Sequence, residues 1–450
     1  MNQKLKQTLL SGIAAALMVG CGGGGGGAAS TDPTLFEPPV TASSLPLLVI
    51  RLQYHDATFT NSAVTWSDKI FGNNFHQLNH YYNEASAGQF AFSRVDENEG
   101  IPDDGVITVT LDKNHPDPSD DNLDAIHPDL KAALIAAAPY IDFASYDTNH
   151  NGKIAFDELQ VIFIVAGYED AYSGGTQSPG IWAHSYCTQP INTPNVDGVS
   201  LLGCSFLGSY AVFGERHDTH DATIGIIAHE LGHAAFWLSD LYDVDGSSAG
   251  IGYFGLMGTG SWAYAAPADT PGNTPSHLNA WSKTRTGWFT PQIVSGLNDQ
   301  SITLNESAST DYNILKLPIT PKEYFLLENR NNSGYDAGLY ALGGTFAGGL
   351  AIWHIDENII DANYLDNTVN NDETHKGVDL EEAANAELDI GSTASFWGNS
   401  TNLYYAGNVD RFAPDTTPNS DSYAGSSSGI YVENISSRGS SMTLLATNPN

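Results

Sequence analysis

Positive charge is what this 450-residue chain has least of: 17 lysines and arginines stand against 52 aspartates and glutamates, a formal net charge of −35. A nucleic-acid partner is thereby excluded, because neutralising phosphates takes clustered cations. Much of the acidic excess reads as a solvated surface, and some of it as ligands for calcium. Cysteine is scarce as well, at three residues. Once Cys21 is set aside as the residue at the end of an export signal, Cys187 and Cys204 remain. In an exported protein such a pair is expected to form a disulfide rather than a metal site. Long apolar runs are also missing. Beyond residue 20 none reaches the roughly 20 residues that span a bilayer, so membrane attachment is expected only through an N-terminal lipid. Hydrophobic residues still make up 41% of the chain, enough to bury a proper core.

The N-terminus carries its own message. Lys4 and Lys6 precede an apolar stretch, Leu9 to Val19, which reads as the core of a bacterial signal over residues 1–20. The run Leu17-Met18-Val19-Gly20-Cys21 resembles a lipoprotein signal with Cys21 as lipid acceptor. Met18 stands where such signals usually have leucine. Six glycines and a Ser/Thr/Pro-bearing stretch follow, so residues 21–44 read as a flexible tether. Export is expected, either to the bacterial surface as an outer-membrane lipoprotein or to the medium.

The body then alternates strands and helices. Leu45 to Leu52 is an apolar, β-branched run expected as a buried strand, and Phe75 to Ser86 reads as a helix closed by Gly88. A strand is expected within Asp103 to Leu111 and a helix over Asp124 to Ala138. Gln160 to Ala166 reads as a central strand buried on both faces. Shorter strands are expected at Ile181 to Tyr186 and Leu201 to Phe206. After Trp288 the texture turns to β, with alternating stretches at 301–304, 312–317, 324–328, 349–355, 430–435 and 441–445.

The most informative five residues are His229-Glu230-Leu231-Gly232-His233. On a helix, positions four apart share a face, so the two imidazoles can grip one Zn²⁺. Glu230 can then deprotonate a water on the metal's open side. Apolar, proline-free residues 224–228 and a capping Asp221 or Thr223 suit a helix there. A third ligand is required. The chain has no glutamate between Glu230 and Glu306, which closes the thermolysin-like route. The metzincin spacing fails too, because Phe236 and Ser239 occupy its glycine and ligand positions. Asp240 is the favoured third ligand, with Asp243 and His277 as rivals. Met257, in a Gly-flanked turn, is a candidate hydrophobic floor beneath a metal. Tyr242, Tyr253 and Tyr264 are equal candidates to hold an oxyanion.

A second motif runs from Asp147 to Glu158. Asp147, Asn149 and Asn151 supply alternate oxygens, Gly152 the sharp turn, Lys153 a carbonyl and Glu158 a bidentate carboxylate, which is the EF-hand calcium template. Glu158 leads straight into the strand at Gln160, so the ion is expected to lock the scaffold rather than switch it.

These segments together resemble the immune-inhibitor-A-like secreted metalloproteases of bacteria. The resemblance rests on residues 80–88 (HYYNEASAG), the calcium loop and its strand, 181–185 (IWAHS), HELGH, and 240–243 (DLYD). It continues through Leu256-Met257, 260–262, 275–281, 287–288, 324–330 (YFLLENR), 353–357 (WHIDE) and 375–383 (HKGVDLEEA). Residues 234–239 are one longer than the family pattern and lack its glycine. The resemblance implies a zinc endopeptidase with structural calcium, acting on proteins or peptides, in which the β-rich second half belongs to the catalytic module. The expected fold is therefore α+β: a zincin-type catalytic domain with a mixed sheet and an active-site helix over 45–289, then a β-rich region over 290–450 packed on it, the whole monomeric. The rival readings are a calcium-binding surface adhesin or binding module with a non-catalytic zinc site, a zinc hydrolase acting on something other than peptides, and a latent protease.

Overall fold

The computed structural model describes residues 43–118, 122–384, 387–390 and 397–450. The export signal, Cys21 and nearly all of the tether lie outside them. The chain divides into two compact units. One takes the described residues through Tyr82 together with Phe90–Trp237, and the other takes Asn83–Gln89 and Leu238–Asn450. Among the described residues no helix is long and apolar enough to cross a membrane.

The first unit is a mixed α/β layer structure. Its strands are β1 (Ser44–Gln53), β2 (Ala91–Arg94), β3 (Val106–Thr110), β4 (Gln160–Glu169), β5 (Gly180–Ile181) and β6 (His184–Tyr186). A separate hairpin, β7 (Asn195–Val196) with β8 (Val199–Ser200), precedes β9 (Tyr210–His217) and β10 (His220–Asp221). The main sheet runs β10-β9-β4-β1-β2, with β3 also on β1, β5 on β4 and β6 on β9. β1 is parallel to β2, β3 and β4, and β4 is parallel to β9, whereas β6 and β10 meet β9 antiparallel. Strands covered on both faces read as continuous apolar runs, which is why 47–50 (LLVI) and 161–166 (VIFIVA) are fully buried here. One face packs Ile50, Leu52 and Phe163 against Leu130 and Leu134 of the helix His127–Ala137. That helix begins later than residue 124 because Pro128 sits at its first turn, behind a short 3₁₀ turn.

Another local expectation shifts. Residues 201–206 form no strand: Leu202 and Leu207 have positive φ, and Cys204–Phe206 is a 3₁₀ turn. Cys204 is bonded there to Cys187. The helix Ala63–Phe71 and the strand β9 were not read from the sequence at all. The helix had its signals, with Ser62 as N-cap accepting from the Thr65 amide and Trp66 and Ile70 on one buried face.

The second unit is built on two sheets. One is ordered from β11 (Gln292–Ile293) through β13 (Leu315–Pro318), β14 (Glu323–Arg330) and β15 (Gly349–Asp356) to β16 (Val378–Leu380). The other holds β12 (Leu297–Asn305), β18 (Ser441–Asn448) and β17 (Tyr431–Glu433). Their apolar sides share a core that includes Leu304, Phe325, Leu327, Ile352, Phe412 and Leu444. The division between the two compact units falls after Trp237. The reason is hydrogen bonding: Arg330 donates to the Phe254 carbonyl at 2.6 Å and Glu328 accepts from the Ala280 amide at 3.0 Å. His277 N–H donates to Asp336 at 3.1 Å as well. These bonds tie residues 254–280 to β14 and the turn after it.

Candidate metal centre

His229, Glu230 and His233 lie on the helix Ile224–Phe236, of which every residue but His233 is buried. Gly225 and Gly232 each cost such a helix roughly 1 kcal/mol in propensity, so packing must hold it. Tyr82 donates its hydroxyl to the Ala228 carbonyl at 2.7 Å and packs with Phe90, Phe92 and Phe236. At the other end Gln160 and Ser209 donate to the Ala234 carbonyl at 3.1 and 2.9 Å. The helix stops at Trp237, left-handed at φ 53°, whose ring lies 4.9 Å from that of Phe156. Thr223 occupies the N-cap position. Its hydroxyl lies 3.5 Å from His217 Nδ1 and caps no amide.

The two imidazoles meet edge to face, with Nε2 to Nε2 at 3.2 Å. Two nitrogens held about 2.0–2.1 Å from one tetrahedral ion would sit roughly 3.3 Å apart, so the pair is already spaced for chelation. Asp240 follows three residues after the helix's last cap. Two imidazoles and a carboxylate are a donor set suited to zinc, and three protein ligands leave a coordination position open. Glu230 is 1% exposed, on the same helical turn as the histidines.

The surroundings of the rival ligands differ. Asp243 is wrapped by its own loop: Oδ1 accepts from the amides of Asp245 and Gly246, and Oδ2 from Ser247 Oγ and the Ser248 amide. His277 pairs through Nε2 with Glu84 at 3.0 Å, and Glu84 also accepts from the Tyr335 amide. Asp240 is held by partners that the sequence did not announce. Tyr242 and Asn367 both donate to Oδ2, at 3.0 and 2.5 Å. Tyr242 is therefore committed to Asp240, which weakens its case as an oxyanion donor. Met257 is 1% exposed, and its carbonyl accepts from the Leu241 amide at 2.8 Å.

In the loop from Asp147 to Glu158 the side-chain oxygens accept from the loop's own amides and hydroxyl. Asp147 accepts from the Asn151 and Gly152 amides at 3.0 and 2.8 Å, and Asn151 Oδ1 from the Lys153 amide at 2.8 Å. Glu158 accepts from Thr148 Oγ1, the Asn149 amide and the Ala155 amide. Gly152 has φ 76°, a conformation that costs glycine nothing. Asp147 and Glu158 are both buried. Phe156, one turn before β4, is the residue that packs on Trp237.

A deeper network occupies the second unit. His354 on β15 lies between Glu323 at 3.1 Å and Glu381 at 3.0 Å, stacked on the Tyr423 ring. Burial opposes its charge, but the two glutamates outweigh that and lift its pKa from 6.5 to about 9. Arg330 and Asp336 form a buried pair, and burial pulls against Asp336 ionising while Arg330 holds its pKa down at about 2.

Residues 50–289 match the family described as "Immune inhibitor A peptidase M6, catalytic domain". The chain is 25% identical over 269 residues to the "Pre-pro-metalloprotease PrtV" of Vibrio cholerae serotype O1, a match covering 56% of this chain and 28% of that protein. It is 28% identical over 172 residues to the "Immune inhibitor A" of Bacillus thuringiensis subsp. alesti, covering 36% of this chain and 25% of that one. The chain thus spans about a quarter of the length of these curated relatives.

Proposed function

Because the chain belongs to the immune inhibitor A peptidase M6 family and carries its catalytic domain, we propose that it is an exported zinc-dependent endopeptidase cleaving proteins or peptides. The observation that carries this reading is the HExxH pair at 3.2 Å with a buried glutamate beside it. In this reading His229, His233 and Asp240 hold the ion. A zinc ion so held supplies Lewis acidity, which lowers the pKa of a water and polarises a peptide carbonyl. Glu230 takes the proton of the attacking water and passes it to the leaving amine. Its burial keeps the carboxylate out of bulk solvent, where that transfer would compete with free water. The fold is read as zincin-type, with the catalytic domain ending near 289, where the family match ends.

The same proposal gives the loop Asp147–Glu158 a calcium ion that stiffens the start of β4 and, through Phe156 and Gln160, the C-terminal end of the metal helix. Export rests on residues 1–20, and attachment to the membrane on lipidation of Cys21.

The decisive experiment is Glu230→Gln in the purified protein. We expect casein cleavage to fall by at least ~100-fold while one zinc per chain is retained. Undiminished cleavage by the variant would sink the mechanism. A wild-type protein that binds zinc but cleaves neither casein nor other peptides would point instead to a binding module.

A further inference from the structure

Three asparagines on one short stretch, residues 367–371, grip the segment that carries Asp240. Asn367 does so twice: its Oδ1 accepts from the Asp240 amide at 2.8 Å, and its Nδ2 donates to Asp240 Oδ2 at 2.5 Å. Asn370 donates to the Leu241 carbonyl at 3.0 Å, and Asn371 accepts from the Val244 amide at 3.1 Å. Asn370 is itself anchored to both the amide and the carbonyl of Val378 on β16, so the clamp is tied into a sheet. Asn367 has φ 55°, the left-handed region that asparagine tolerates better than most residues. The turn that presents it is closed by its amide to Tyr364 O at 3.1 Å.

We propose that Asn367, assisted by Tyr242, is the positioning residue that presents Asp240 to the metal. The inference rests on Asp240 being a zinc ligand. A carboxylate can bind one ion through either oxygen or both. Two neutral donors on Oδ2 stop the group from rotating, so the carboxylate is presented in one orientation. They also spread the negative charge without neutralising it, so the carboxylate stays a zinc donor. Partners of this kind typically govern metal affinity by one to two orders of magnitude. The six residues between His233 and Asp240 carry no regular structure beyond the helix end. The fixed point for Asp240 therefore comes from a loop 127 positions away.

The test measures zinc affinity by chelator competition on the full chain, alongside the melting temperature of each zinc-free protein. Asn367→Asp keeps the size and the acceptor for the Asp240 amide but sets oxygen against oxygen at Oδ2. It should weaken zinc binding roughly 10- to 100-fold, and Tyr242→Phe should weaken it by a smaller factor. Asn371→Ala, which loosens the same segment without touching the carboxylate, should leave zinc affinity within about twofold of wild type. Wild-type affinity in Asn367→Asp, or an equal loss in Asn371→Ala, overturns the inference. Asp240→Ala separates the two levels. If it loses zinc while Asn367→Asp keeps it, only the positioning role fails, whereas wild-type affinity in Asp240→Ala removes the ligand assignment itself.

Discussion

Asp240 and Asp243 stand three residues apart, yet their surroundings differ. Four donors from one loop satisfy both oxygens of Asp243, whereas Oδ2 of Asp240 accepts from Tyr242 and from the remote Asn367. Asp243→Ala should therefore leave zinc stoichiometry at one per chain while costing about 1–3 kcal/mol of stability, chiefly the penalty of stranding the buried Ser248 amide. Loss of the metal in that variant would reopen Asp243 as the ligand. His354 makes a prediction of another kind. Its folded pKa of about 9 lies above its unfolded 6.5, so its contribution is complete below pH 6.5 and drains away as pH rises toward 9. The difference corresponds to about 3 kcal/mol. The wild-type melting temperature should fall between pH 7 and 9, and His354→Gln should flatten that slope. A slope unchanged by the substitution would dismiss the histidine as its source.

At the scale of elements, the loop Asp147–Glu158 and the metal helix form one mechanical unit. Phe156 packs on the helix cap and Gln160 bonds to Ala234, so the loop's order is passed on to the turn carrying His233. Calcium in excess of its dissociation constant should raise the melting temperature by the mass-action amount, on the order of 3 kcal/mol at a hundredfold excess. Asp147→Ala should abolish that rise without removing zinc. A calcium-dependent shift that survives the substitution would place the ion elsewhere. The loop, the HELGH helix and β4 were all legible in the sequence because each depends on local spacing: alternate oxygens, a four-residue repeat, a continuous apolar run. The expected strand at 201–206 was not what formed. Its apolar residues are indeed buried, but burial alone does not choose between a strand and a turn with Leu202 at φ 61°.

For the whole molecule, net charge is the dominant long-range term. With −35 formal charges, self-repulsion opposes the compact state and is screened by salt over about 10 Å at 0.1 M. Melting temperature should therefore climb between 10 mM and 0.5 M sodium chloride at constant calcium. A flat response would mean that the acidic groups are already compensated within the fold.

The sequence alone supplied the residue types and intervals on which the proposed chemistry rests: HELGH for a zinc ion, and the oxygens of residues 147–158 for a calcium ion. It also determined that Cys187 and Cys204 had only each other to pair with once Cys21 was assigned to the signal, and the two are joined in the structure. Three candidates for the third ligand stayed open because the segment after His233 follows no recognised spacing. The tertiary structure gives each a different set of partners: a loop's own amides for Asp243, Glu84 for His277, and the remote Asn367 for Asp240. Nothing in a local pattern can announce a bond between residues 240 and 367, since loop closure over that distance is settled by the packing of the whole second unit. Identity and interval are written along the chain, whereas the orientation of a single carboxylate is fixed only when distant backbone arrives beside it.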